Sequence, residues 1–139
     1  MERIVDLPRI PPRALDTHKG TYGRVLIVAG SPGMPGAAIL AARAALRTGS
    51  GLVTLAIPGA VSGALGAAVP EATQILLPDH RAVAVGPEMT QKFDAVAMGP
   101  GLGTSEGSRE LVEAVLFLYE GPIVTDADAL NIVALYPET

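Results

Sequence analysis

The sequence predicts an α/β fold: a mainly parallel sheet with helices on both faces. Three observations point there. Short apolar runs without polar alternation, such as "RVLIVAG" at 24–30 and "GLVTLAIP" at 51–58, read as strands buried on both faces. Helix-like runs fall between them, so that strand, helix and strand repeat, as crossovers in a parallel sheet require. The palette agrees: 49% of the 139 residues are hydrophobic, only 4% are aromatic, and 16 are glycine. A core of Ala, Val, Leu and Ile with many close backbone approaches suits helices on a sheet, and the length fits one domain.

The elements follow in order. Residues 1–16 are Pro-rich and mixed in charge and are read as an N-terminal arm; 17–139 form the domain. "HKGTYG", 18–23, is a turn leading into the strand 24–30. The glycine loop "GSPGMPG", 30–36, precedes a helix of small residues over 37–48, ended by Gly49 and Gly51. The strand 51–58 is followed by a Gly-interrupted helix, 61–69, and a short strand, 73–78. His80 is read as a loop residue. "DAVAMG", 94–99, is a strand, and 108–120 carries Leu111, Val112, Val115, Leu116 and Tyr119 at helical spacing. "PIVTDAD", 122–128, is a strand, and 129–136 a helix with Asp128 as its N-cap.

Composition removes several function classes. The net charge of −4 and the absence of any long basic run argue against nucleic acid. Zero cysteines exclude disulfides and thiolate metal sites and fit a reducing, cytoplasmic setting. Mean hydropathy is high, +0.39. Yet the most apolar stretch, 37–46, is interrupted by Arg43 and falls short of the roughly 20 residues a membrane span needs. The N-terminus has no signal-peptide core.

Three loops gather at strand ends: 30–36, 99–103 and 126–131. In an open α/β sheet, ligands sit in the crevice outside the carboxyl ends of the strands. The standard nucleotide motifs do not fit these loops. Glycines at 30, 33 and 36 have the wrong spacing for a dinucleotide fingerprint, and no acid ends the following strand. A Walker loop needs Gly-Lys-Ser/Thr, whereas Gly36 precedes Ala37 and Ala38. What remains is generic: bare backbone and helix N-termini that suit phosphate, or turn glycines that only pack helix on sheet. Asp126 ends a strand and is open to three readings: base, Mg²⁺-shell ligand or loop anchor. Asp126 and Asp128 lack a third ligand, so no metal site is assigned. His18 and Lys19, beside Gly20, and Ser31 are candidate anion contacts. There is no Gly-x-Ser-x-Gly elbow and no cysteine, so nothing supports a Ser or Cys nucleophile.

Four motifs together carry a resemblance. "HKGTYGRVLIVAGSPGMPGAAILAARAALRTGSGLVTLA", 18–56, "PEAT", 70–73, "AMGPGLG", 97–103, and "TDADALN", 125–131, resemble in order and spacing the ADP/ATP-dependent NAD(P)H-hydrate dehydratases. The resemblance runs from about residue 13 to the end. It implies a partial ribokinase-like three-layer α/β/α fold. It also implies a repair reaction that removes water from hydrated NADH or NADPH at the expense of ADP or ATP with Mg²⁺. Hydroxide is a poor leaving group; phosphorylation of the ring hydroxyl makes it a good one, and elimination restores the ring. Carried over, Gly36, Ala37, Gly99, Gly101, Gly103, Asp126 and Asn131 match substrate-contacting positions, and Gly101 and Gly103 mark the closest backbone approach. Asp126 is not assigned as the base.

The resemblance also defines what is missing. The family continues into a "TPHPGE" segment, a lysine-glycine strand and a "GTGD" loop whose Asp is the expected base, and none of these occurs here. The expectation is an N-terminal half, inactive alone, without a catalytic residue of its own, that packs against the complementary half, a second copy or both. Met1 is read as a start with no preceding epimerase domain. The alternatives are a non-catalytic nucleotide-binding or oligomerisation remnant, and a ribokinase-like small-molecule kinase.

Overall fold

The computed structural model describes residues 11–78, 86 and 90–137; His80 and residues 1–10 of the arm lie outside them. Five strands form one parallel sheet: β1 (Arg24–Val28), β2 (Leu52–Pro58), β3 (Thr73–Leu77), β4 (Ala95–Met98) and β5 (Ile123–Thr125). Their spatial order is β3-β2-β1-β4-β5. The chain runs outward from β1 to β3, crosses back, and continues from β4 to β5 on the other side of β1. The strand order therefore reverses between β1 and β4, where Val25 pairs with Ala95 and Val28 with Met98.

The sheet is covered by α1 (Pro35–Arg47), α2 (Ser62–Ala68), α3 (Glu106–Leu118) and α4 (Asp128–Leu135). A 3-10 turn, Lys19–Tyr22, precedes β1, and a second, Gly59–Val61, leads into α2. Successive side chains of a strand point to opposite faces. Leu26 and Val28 join Val96, Met98, Val112, Val115 and Ile132 beneath α3 and α4. Ile27 and Ala29 join Leu55, Ile57, Ala38, Ala42 and Leu65 beneath α1 and α2. The result is a three-layer α/β/α sandwich.

Local chemistry sets the helix ends. Helix α1 starts two residues earlier than the sequence pattern predicts because Pro35 occupies its first turn, where a missing N–H costs nothing. It stops at Thr48 and Gly49, the latter at φ 104°. Ser105 caps α3 by accepting from the Ser108 N–H at 3.3 Å, and Glu106 meets the positive end of the helix dipole. Arg109 ties α3 to α4: it bonds Glu113 at 2.6 Å and stacks 4.0 Å from the Tyr136 ring.

One predicted cap is corrected. Ala127, not Asp128, holds the N-cap position of α4, and no side chain caps it there. Asp128 is the first helical residue, and its carboxylate has another partner.

Candidate functional site

All five strands are parallel, so the loops after β1, β2, β3, β4 and β5 emerge at one end of the sheet. A cleft of about 430 Å³ opens there, at the point where the strand order reverses. One wall is Gly30–Pro32 after β1. The facing wall is Leu102–Ser105 with Gly107, Ser108 and Leu111 of α3. Pro58 and Leu77, at the ends of β2 and β3, close the remaining side.

Backbone hydrogen bonds fix the two walls together. The Gly30 N–H donates to the Pro100 carbonyl at 2.9 Å, and Gly99 N–H to Val28 at 3.1 Å. The turns that allow this need φ values that glycine tolerates: 79° at Gly30, 69° at Gly101 and 72° at Gly103. Ser108, buried, donates its hydroxyl to the Leu102 carbonyl at 3.0 Å and so holds the loop onto the first turn of α3.

The predicted residues divide by position. Ser31 and Gly103 line the cleft. Gly103 and Gly36 have nothing within 4 Å of where a β-carbon would stand, so both face open space. Gly101 does not: a β-carbon there would meet the Ala37 methyl at 2.7 Å and Met34 at 3.2 Å. Gly99 lies against the Asp126 carbonyl, which a β-carbon would overlap. Asp126 is exposed; its N–H donates to the Met98 carbonyl at 3.0 Å and its carbonyl accepts from Ala129 at 3.1 Å. Asn131, also exposed, donates its amide to Asp128 at 3.4 Å.

His18, Lys19 and Gly20 lie elsewhere. They belong to the turn at the amino end of β1, opposite the cleft. The His18 Nδ1 accepts from the Gly20 N–H at 3.1 Å, and the Lys19 carbonyl lodges against Gly51 at the start of β2. The structure does not bring these three residues together with the cleft.

Sequence reasoning missed four contributors. Thr104 and Ser105 carry no site assignment in the sequence, yet both line the cleft. Leu102, unassigned in the sequence, is buried in its wall. Asp128 read as a cap, and its Oδ2 accepts from the Gly103 N–H at 2.8 Å. The position of Gly103 opposite Asp128 depends on a contact across 25 residues, which no local pattern encodes.

Among the described residues, the lining consists of backbone, hydroxyl and aliphatic groups, with no carboxylate, imidazole or amine. Such a surface binds and orients, but it does not exchange protons at neutral pH. Among the described residues, no group of three His, Cys, Asp or Glu side chains is placed to hold a metal ion. Nor is any helix among them long and apolar enough to cross a membrane.

Comparison with known proteins adds what the cleft alone cannot. The family model for NAD(P)H-hydrate dehydratase matches residues 25–138. The bifunctional NAD(P)H-hydrate repair enzyme of Moorella thermoacetica is 43% identical over 133 residues, covering 91% of this chain and 25% of that protein. The ADP/ATP-dependent NAD(P)H-hydrate dehydratase of Bacillus subtilis, co-crystallised with ATP and Mg²⁺, superposes with a TM-score of 0.74 at 38% identity. That match covers 87% of this chain and 43% of the other. A ribokinase-like superfamily protein from Enterococcus faecalis gives a TM-score of 0.81 at 26% identity, over 91% of this chain and 44% of its own. The chain thus spans about a quarter to under half of the length of these relatives. With a ribokinase-like architecture and a family match over nearly all of its described length, the chain belongs to the NAD(P)H-hydrate dehydratase family.

Proposed function

We propose that this chain supplies the hydrate-binding part of a nicotinamide-cofactor repair enzyme, which dehydrates hydrated NADH or NADPH back to the reduced cofactor. The observation that carries the reading is the cleft at the β1/β4 reversal, walled by two of the four motifs that resemble the family. Its uncharged lining suits the hydrated ring and its carboxamide: aliphatic faces from Leu77, Leu102 and Leu111, hydroxyls from Ser31, Thr104 and Ser105. Gly103 leaves room for close approach of the ligand; Gly36, open on the first turn of α1, is not among the lining residues. Asp126, just after β5, and Asn131, in α4, are not among the residues that line the cleft.

ADP or ATP is the expected co-substrate, and when bound with Mg²⁺ it supplies the phosphoryl group that makes the ring hydroxyl a leaving group. Among the described residues the cleft contains no Mg²⁺ ligand set; the nucleotide's phosphates would hold the ion. The proton transfer needs an ionisable group, and none is among the described residues of this lining. We therefore assign binding and orientation to this chain, and turnover to the chain together with further domain sequence. Val124 on the edge strand β5 is 65% exposed and Leu40 on α1 70%. The open edge of β5 suits docking of the remainder of the domain. A cytoplasmic setting follows from the cofactor.

The test is incubation of hydrated NADH with ADP or ATP and Mg²⁺, followed by the near-ultraviolet absorbance of the reduced ring. The chain alone is expected to bind without turnover. Supplemented with the complementary half of the domain, it is expected to regenerate NADH with one of the nucleotides. Failure with both contradicts the reading.

A further inference from the structure

We propose that Asp128 is a positioning residue: the turn between β5 and α4 is a clamp, and the Asp128 carboxylate is the group by which it holds the cleft wall. For its ligand this inference rests on the reading above; for its mechanics it rests on contacts alone. Oδ2 of Asp128 accepts from the Gly103 N–H at 2.8 Å. Oδ1 accepts from the Asn131 amide at 3.4 Å, one turn along α4. The carboxylate thus joins α4 to a glycine of the wall, and Asn131 orients it.

Two further features belong to the same clamp. Gly99 has no β-carbon, which lets the Asp126 carbonyl lie directly against it. Ala127 sits at φ 48°, ψ −117°, a conformation that disfavours any side chain. Hydrogen bonds brace it on both sides: Ala129 N–H to the Asp126 carbonyl at 3.1 Å, and Asn131 N–H to the Ala127 carbonyl at 3.0 Å. A residue is kept in such a conformation only where its surroundings over-determine it. What the turn fixes is the Asp128 carboxylate in front of Gly103.

The consequence for the site is specific. The Gly103 N–H is occupied by a carboxylate, so it is not offered to a ligand anion. The 99–103 loop acts as a neutral wall whose open side is the Gly103 α-carbon. The bond also sets where Thr104 and Ser105 present their hydroxyls. Asp128 does not line the cleft, so it acts through Gly103.

The experiment uses the 139-residue chain, ¹⁵N-labelled, as wild type, Asp128→Ala and Asp128→Asn. Two quantities are read: amide hydrogen exchange at Gly103, and affinity for hydrated NADH by calorimetry. Loss of a hydrogen bond to a charged acceptor corresponds to at least about tenfold. Asp128→Ala is therefore expected to speed Gly103 exchange and raise Kd by that factor, with a folded circular-dichroism spectrum. Asp128→Asn keeps an acceptor for Gly103 and is expected within about threefold of wild type on both. Unchanged Gly103 exchange in Asp128→Ala overturns the clamp, and so does wild-type affinity in that variant. Equal loss of affinity in both variants also overturns it, because the charge rather than the bond would then matter. If wild type does not bind hydrated NADH, the functional reading fails, and Gly103 exchange still decides the clamp.

Discussion

Gly101 and Ala37 are in contact across the floor of the fold: a β-carbon built on Gly101 would stand 2.7 Å from the Ala37 methyl. The loop after β4 therefore rests directly on the first turn of α1. Two residues that the family resemblance marks for substrate contact are also each other's packing partners. Substitutions at Gly101 act first on folding. Gly101→Ala combines a backbone at φ 69° with an overlap that a methyl cannot avoid. The expected cost is about 2–4 kcal/mol. In an Ala37→Gly background the overlap with the methyl disappears, while the φ term and the 3.2 Å approach to Met34 stay. Urea unfolding of the four proteins should show a coupling of about 1 kcal/mol or more, and additive costs would contradict the contact.

Gly36 is the opposite case. It lies in the first turn of α1 with open space around it, so Gly36→Ala introduces no clash. Reduced freedom of the unfolded chain should stabilise the protein by about 0.4–1 kcal/mol. If Gly36 belongs to the ligand floor, the same variant should bind hydrated NADH more weakly. A higher Tm with unchanged affinity would remove Gly36 from the floor.

Gly51→Ala tests the role of the 18–23 turn. A β-carbon at Gly51 would overlap the Lys19 carbonyl and approach Tyr22 at 3.2 Å. The expected loss is about 3 kcal/mol or more in urea unfolding, through displacement of this turn from the start of β2. A near-neutral result would mean that the turn is not held there.

The fold was legible because its strands are pure apolar runs and its helices start at recognisable residues. The run 24–30 and the helical spacing of Leu111, Val112 and Val115 in α3 need no distant partner to be read, although α3 begins two residues earlier than that spacing marks, behind its Ser105 cap. The site was legible only as loops. That Ser31 and Gly103 line one cleft depends on β1 and β4 being neighbours, which is set by the crossover after β3. The pairing of His18 with Lys19 suggested an anion site, but their position at the amino end of β1 is a matter of strand direction. Asp128 looked like a cap because Asp at a helix start usually is one; the Gly103 N–H that claims it lies 25 residues away.

Alkaline stability gives a separate check on the core. The buried Tyr119 hydroxyl donates to the Phe93 carbonyl at 3.1 Å. Burial, and secondarily the charge of Asp94, raises its pKa above the usual phenol value. The unfolded chain then loses this proton at a lower pH than the folded chain. The Tyr119 contribution is present below the ordinary phenol pKa and is lost as pH rises through and beyond it. Tyr119→Phe should cost about 1 kcal/mol at neutral pH and make the alkaline limb of stability shallower. An unchanged limb would contradict the burial argument.

The central claim is that the cleft at the β1/β4 reversal receives the hydrated nicotinamide cofactor. Its most direct test is titration of the ¹⁵N-labelled chain with hydrated NADH, followed residue by residue through the backbone amides. The expected result is saturable shifts at Ser31, Gly103, Thr104 and Ser105, with His18, Lys19 and Gly20 unmoved. Shifts confined to His18–Gly20 at the opposite end of the sheet, or no shifts at all, would contradict it.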